Sequence, residues 1–124
     1  MLYLAAALIF VTGIAHSYLG ERYILVRLFR RNDLPKLFGG TAFTTGTLRF
    51  AWHLTTIAWW SLAYLIVLAA GATPTSADIL RAIAVTSLVS GAFPLVFTRG
   101  KHLSWIVFFV VAALLFVGGG AVSG

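Results

Sequence analysis

The chain has 124 residues, 60% of them hydrophobic and 10% charged, with a mean hydropathy of +0.98. Too few polar residues remain to cover a soluble domain of this length, and there is room for only one domain. Nine Lys/Arg against three acidic residues give a net charge of +6, and the absence of Cys removes disulfides, thiolate catalysis and Cys-bound metals.

Four apolar blocks predict an all-α membrane protein, an antiparallel four-transmembrane-helix bundle forming one domain over residues 1–124. The spans are read at about 2–19, 48–70, 79–97 and 103–122. No Lys or Arg precedes the first apolar block, so it reads as a retained span and not a signal peptide. Between the first two spans, Glu21 to Arg31 mixes bulky apolar residues with Arg at helical spacing. This segment is expected to be amphipathic and cytoplasmic, either extending the first helix or lying flat in the interface. Asn32-Asp33-Leu34-Pro35 reads as a break and restart, with Pro35 in a first helical turn. Thr41 to Thr47 reads either as a loop or as a polar extension of the second helix. Ser76 or Asp78 is expected to cap the third helix and Ser104 the fourth.

Charge sets the expected orientation. Arg22, Arg27, Arg30, Arg31, Lys36 and Arg49 flank the first connection and Arg99 and Lys101 the third, whereas only Arg81 lies near the second. The charges separate apolar blocks, which points to anionic lipid headgroups as partners and not to nucleic acid. The positive-inside bias puts the first and third connections in the cytoplasm and both termini outside, as in a bacterial inner membrane.

That topology gathers His16, His53 and His102 into one layer near the cytoplasmic boundary, bordered by Glu21, Arg49, Arg99 and Lys101. On the second helix Arg49, His53, Thr56, Trp60 and Tyr64 recur at three- and four-residue steps, a polar-aromatic stripe that should face protein. On the first helix Thr12, His16, Gly20 and Tyr23 share a face. Ser17 neighbours His16, but adjacent helical residues point about 100° apart, and no nucleophile turn is present. Enzymatic activity is not expected.

The candidate site is therefore His16, Glu21, Arg49, His53, Thr56, Trp60 and Tyr64. It would bind a small anionic or redox-active ligand, or move protons, since imidazole titrates near neutrality. One alternative is a haem b or quinone subunit with His16 and His53 as axial or metal ligands; a divalent metal on His16, His53 and Glu21 is another. A third is an accessory or structural subunit, in which the stripe only packs helices. A bundle this small buries few side chains, so a homo-oligomer or a partner membrane subunit is expected.

The strings His16-Ser17-Tyr18-Leu19-Gly20-Glu21 and Leu48-Arg49-Phe50-Ala51-Trp52-His53-Leu54 resemble those of uncharacterised bacterial four-span integral membrane proteins, a likeness that implies no activity. In size and span number the chain is similar to small multidrug transporters. That family carries a membrane-embedded Glu in its first helix, where this chain has Thr12 and His16.

Overall fold

A computed structural model describes residues 1–122. Its elements are α1 (Leu2–Leu19), a π-helical segment (Gly20–Leu25), α2 (Val26–Leu28), α3 (Ala42–Gly71), α4 (Ser76–Phe97) and α5 (Ser104–Val122). The first three form one continuous rod, Leu2–Leu28. The Glu21–Arg31 segment thus lengthens the first helix, one of the two expectations for it. Three helices are long and apolar enough to cross a membrane: Leu2–Leu28, Ala42–Gly71 and Ser76–Phe97. The fourth predicted span is helical over Ser104–Val122, with a shorter apolar stretch at Ser104–Gly120.

The connection between the first two spans departs from expectation. No helix restarts at Pro35. Instead Phe38 (φ 55°) and Gly39 (φ 87°) turn the chain sharply, and Leu37 and Gly40 exchange two backbone hydrogen bonds of 2.9 and 3.3 Å. Two consecutive positive φ values match a two-residue hairpin turn, which a helical restart cannot accommodate. The Thr44 hydroxyl donates to the Pro35 carbonyl at 2.8 Å and ties this hairpin to the start of α3. Helix α3 begins at Ala42, so Thr41 to Thr47 supplies helix and not loop. Before the hairpin, Arg31 donates to Asp33 at 2.8 Å and holds that carboxyl down at about 2.

The α4 cap lies one residue earlier than expected. Thr75 is the N-cap, and Asp78 closes a capping box by accepting from the Thr75 N–H at 3.0 Å. At the other end of α4, Arg99 (φ 52°) and Gly100 (φ 76°) reverse the chain, and the Gly100 N–H donates to the Leu95 carbonyl at 2.8 Å.

The helices pack in chain order: α1 on α3, α3 on α4, α4 on α5. Glycine permits the closest approach at each contact. A Cβ at Gly46 of α3 would lie 2.3 Å from the Phe97 carbonyl oxygen of α4, and one at Gly91 of α4 would lie 2.6 Å from the Phe109 ring of α5. Lipid tails are as apolar as the side chains, so close packing and hydrogen bonds must hold helices together here.

Candidate functional site

The α1–α3 contact carries most of the polar chemistry. Three side chains of α3 donate to three carbonyls of α1. Trp52 Nε1 donates to His16 O (3.2 Å), Thr56 Oγ1 to Gly13 O (3.4 Å) and Trp60 Nε1 to Phe10 O (3.1 Å). The donors step by four residues along α3 and the acceptors by three along α1, so each turn of one helix meets a turn of the other. Gly13 and Gly20 make room: a Cβ would lie 2.5 Å from Trp60 Nε1 at the first and 2.1 Å from Trp52 Nε1 at the second.

A connected cluster lies within this contact. Arg49 grips Glu21 through Nη2–Oε1 at 2.7 Å and Nε–Oε2 at 3.1 Å, a bidentate pair, and its guanidinium also lies 4.9 Å from the Phe29 ring centre. Glu21 Oε2 is 3.5 Å from His53 Nε2. His53 Nδ1 is 2.9 Å from Ser17 Oγ, and Ser17 Oγ is 2.7 Å from Thr56 Oγ1. Thr56 is buried and reaches the Gly13 carbonyl. Phe93 and Phe97 of α4 cover the His53 ring, with centroids 6.2 and 6.3 Å away.

The donors and acceptors admit two consistent states. With its proton on Nε2 alone, His53 turns that N–H toward the Glu21 carboxylate 3.5 Å away and accepts from Ser17, which accepts from Thr56. With both nitrogens protonated, His53 donates to Ser17, Ser17 to Thr56, and Thr56 to the Gly13 carbonyl. The remaining state, protonated on Nδ1 alone, turns an imidazole lone pair toward the Glu21 carboxylate and is disfavoured. Uptake of one proton by His53 together with two hydroxyl rotations converts the first state into the second without moving a heavy atom.

The structure sorts the sequence candidates into three groups. Glu21, Arg49, His53 and Thr56 come together. His16 lies apart: its ring stacks on Trp52 (centroids 4.6 Å apart, planes 1° apart), and its Nε2 is 3.3 Å from the Trp52 carbonyl oxygen. Trp60 and Tyr64 lie further along α3, where Trp60 stacks on Phe10 at 5.1 Å and Tyr64 is exposed. Ser17 is the residue that sequence reasoning left out. Its signal was the four-residue step Gly13, Ser17, Glu21 on one helical face. The π-helical segment starts at Gly20, so Glu21 lies in a widened turn that a regular helix projection does not anticipate.

His102 is half-buried in the turn before α5. Its Nδ1 is 2.8 Å from Ser104 Oγ, and its ring meets Phe50 at 4.9 Å, outside the His53 cluster. Ser104 therefore partners His102. Among the described residues no group of three His, Asp or Glu is placed to hold a metal ion. The His16 and His53 imidazoles share no hydrogen-bond partner among the described residues, and ligation by His53 would break its bond to Ser17 or its contact with Glu21.

Comparison with protein-family models, with curated proteins and with solved structures returned no match.

Proposed function

We propose that this chain is an antiparallel four-span integral membrane protein whose α1–α3 site takes up and releases a proton at His53 during transport. The observation that carries this reading is the unbroken polar path from Arg49 through Glu21, His53, Ser17 and Thr56 to the Gly13 carbonyl. Ionisable groups inside a membrane are costly and mark ion or substrate pathways. Here the cost is lowered by pairing, and the hydroxyl relay gives the proton a route along the helix contact. The anionic-ligand version has less support, because Glu21 already occupies Arg49. A haem version would require His53 to give up a partner.

In this reading the Lys/Arg-rich connections face the cytoplasm and both termini lie outside, in a bacterial inner membrane. The exposed apolar side chains of α5, among them Leu114 and Val117, meet lipid or a second copy of the chain.

The test is proton flux into proteoliposomes under an imposed membrane potential, read by a trapped pH dye. His53→Gln and Glu21→Gln are expected to slow the flux by about tenfold or more. Wild-type flux equal to that of protein-free vesicles overturns the proposal and leaves the packing role of an accessory subunit.

A further inference from the structure

The hairpin between the first rod and α3 is built at a steric cost that its own contacts do not explain. Phe38 (φ 55°) and Gly39 (φ 87°) occupy the two central positions of a turn that favours Asn or Gly at both. A bulky residue at positive φ is sterically disfavoured. Packing within the chain offsets little of this. The Phe38 ring meets Phe43 edge-on at 4.9 Å and lies 5.4 Å from Lys101 Nζ, yet the residue is 71% exposed. Leu37 beside it is exposed as well.

Depth decides what covers these side chains. Helix α4 has 22 residues, about 33 Å, only just enough to cross a ~30 Å hydrocarbon core, so its end at Phe97 lies near a membrane boundary. Gly46 of α3 abuts the Phe97 carbonyl, so only Ala42 to Thr45, about 6 Å of helix, projects past that level. The contact of Phe38 with Lys101 holds the hairpin tip beside the α4–α5 turn. The tip therefore lies within the interfacial layer, ~5–7 Å thick on each side of the core, and not in bulk water. Cations ring it. Arg30, Lys36, Arg99 and Lys101 are exposed and have no acidic partner among the described residues.

We propose that the Leu37–Gly40 hairpin anchors this end of the bundle in the surface of an anionic leaflet. Leu37 and Phe38 enter the boundary of the acyl chains, and Lys36, Arg99 and Lys101 hold phospholipid phosphates beside them. The inference rests on α4 spanning the bilayer and shares no residue with the His53 cluster.

The chain has no Cys, so single thiols can be spin-labelled. The full chain carrying Leu37→Cys is reconstituted in phosphatidylcholine vesicles and in an equal mixture of phosphatidylcholine and phosphatidylglycerol. Label depth is read from its accessibility to oxygen relative to a water-soluble nickel chelate. In the mixed vesicles the label is expected below the phosphates, deeper than in phosphatidylcholine alone. Phe38→Asn supplies the favoured Asn-Gly turn, so thermal stability in detergent should hold or rise while the label moves out to water. Lys36→Gln combined with Lys101→Gln should remove the gain in depth from phosphatidylglycerol. A nickel-accessible label in both vesicles, or a depth that neither phosphatidylglycerol nor Phe38→Asn changes, overturns the proposal. Leu88→Cys, in the middle of α4, reports the span separately. An oxygen-accessible label there with a water-exposed Leu37 label refutes the anchor alone, and a nickel-accessible label there refutes the span and the anchor with it.

Discussion

The α1–α3 and α4–α5 contacts solve the same problem by different means. Both rely on glycine to bring helices together. At α4–α5 Gly91 accepts the Phe109 ring, and Ala84 and Ala112 are buried. At α1–α3 glycine admits two indoles, and each indole then donates to a backbone carbonyl. Shape alone suffices to join helices in lipid, so the charged and hydroxyl groups at α1–α3 exceed what packing requires. That excess is the physical ground for placing the site there.

The comparison can be broken most severely at Gly20. Its added Cβ would meet the Trp52 ring, which cannot swing aside because it is stacked on His16 and hydrogen-bonded to its carbonyl. Gly20→Ala should cost about 3 kcal/mol or more, read as lost thermal stability in detergent. Gly91→Ala should cost less, about 1–2 kcal/mol, because the Phe109 ring can adjust. It should also leave proton flux per folded molecule unchanged, which separates the two contacts functionally.

Ser17→Ala sharpens the same contrast. It removes the link between His53 and Thr56 at a stability cost of about 1 kcal/mol, while flux should fall well beyond the loss of folded protein. The smallest effect is expected at Asp33. Arg31 lowers the Asp33 carboxyl from 3.8 to about 2, so the stabilisation is present above about pH 4 and is lost as pH falls through 2. Both groups are exposed, so Asp33→Asn should leave the midpoint of thermal unfolding at pH 7 nearly unchanged.

The apolar blocks were legible because span length and hydropathy are properties of composition. The early start of α3 was not, since Thr41 to Thr47 is rich in Thr and Gly and its helicity depends on contacts at Gly46 and Thr44 that lie outside the segment. The α3 stripe was legible as far as Thr56, because one helical face meets one neighbour over that length. Beyond it Trp60 turns to Phe10, and Tyr64 is exposed. On α1, His16 packs as an aromatic ring against Trp52, and the polar cluster around His53 meets the quieter series Gly13, Ser17, Glu21.

The most direct test of the proton site is the nitrogen NMR spectrum of His53 in lipid bilayers. The account predicts that the neutral ring carries its proton on Nε2, facing Glu21, with Nδ1 accepting from Ser17, and that Ser17→Ala removes that Nδ1 hydrogen bond. A neutral ring protonated on Nδ1, or an Nδ1 signal that Ser17→Ala leaves unchanged, would contradict it.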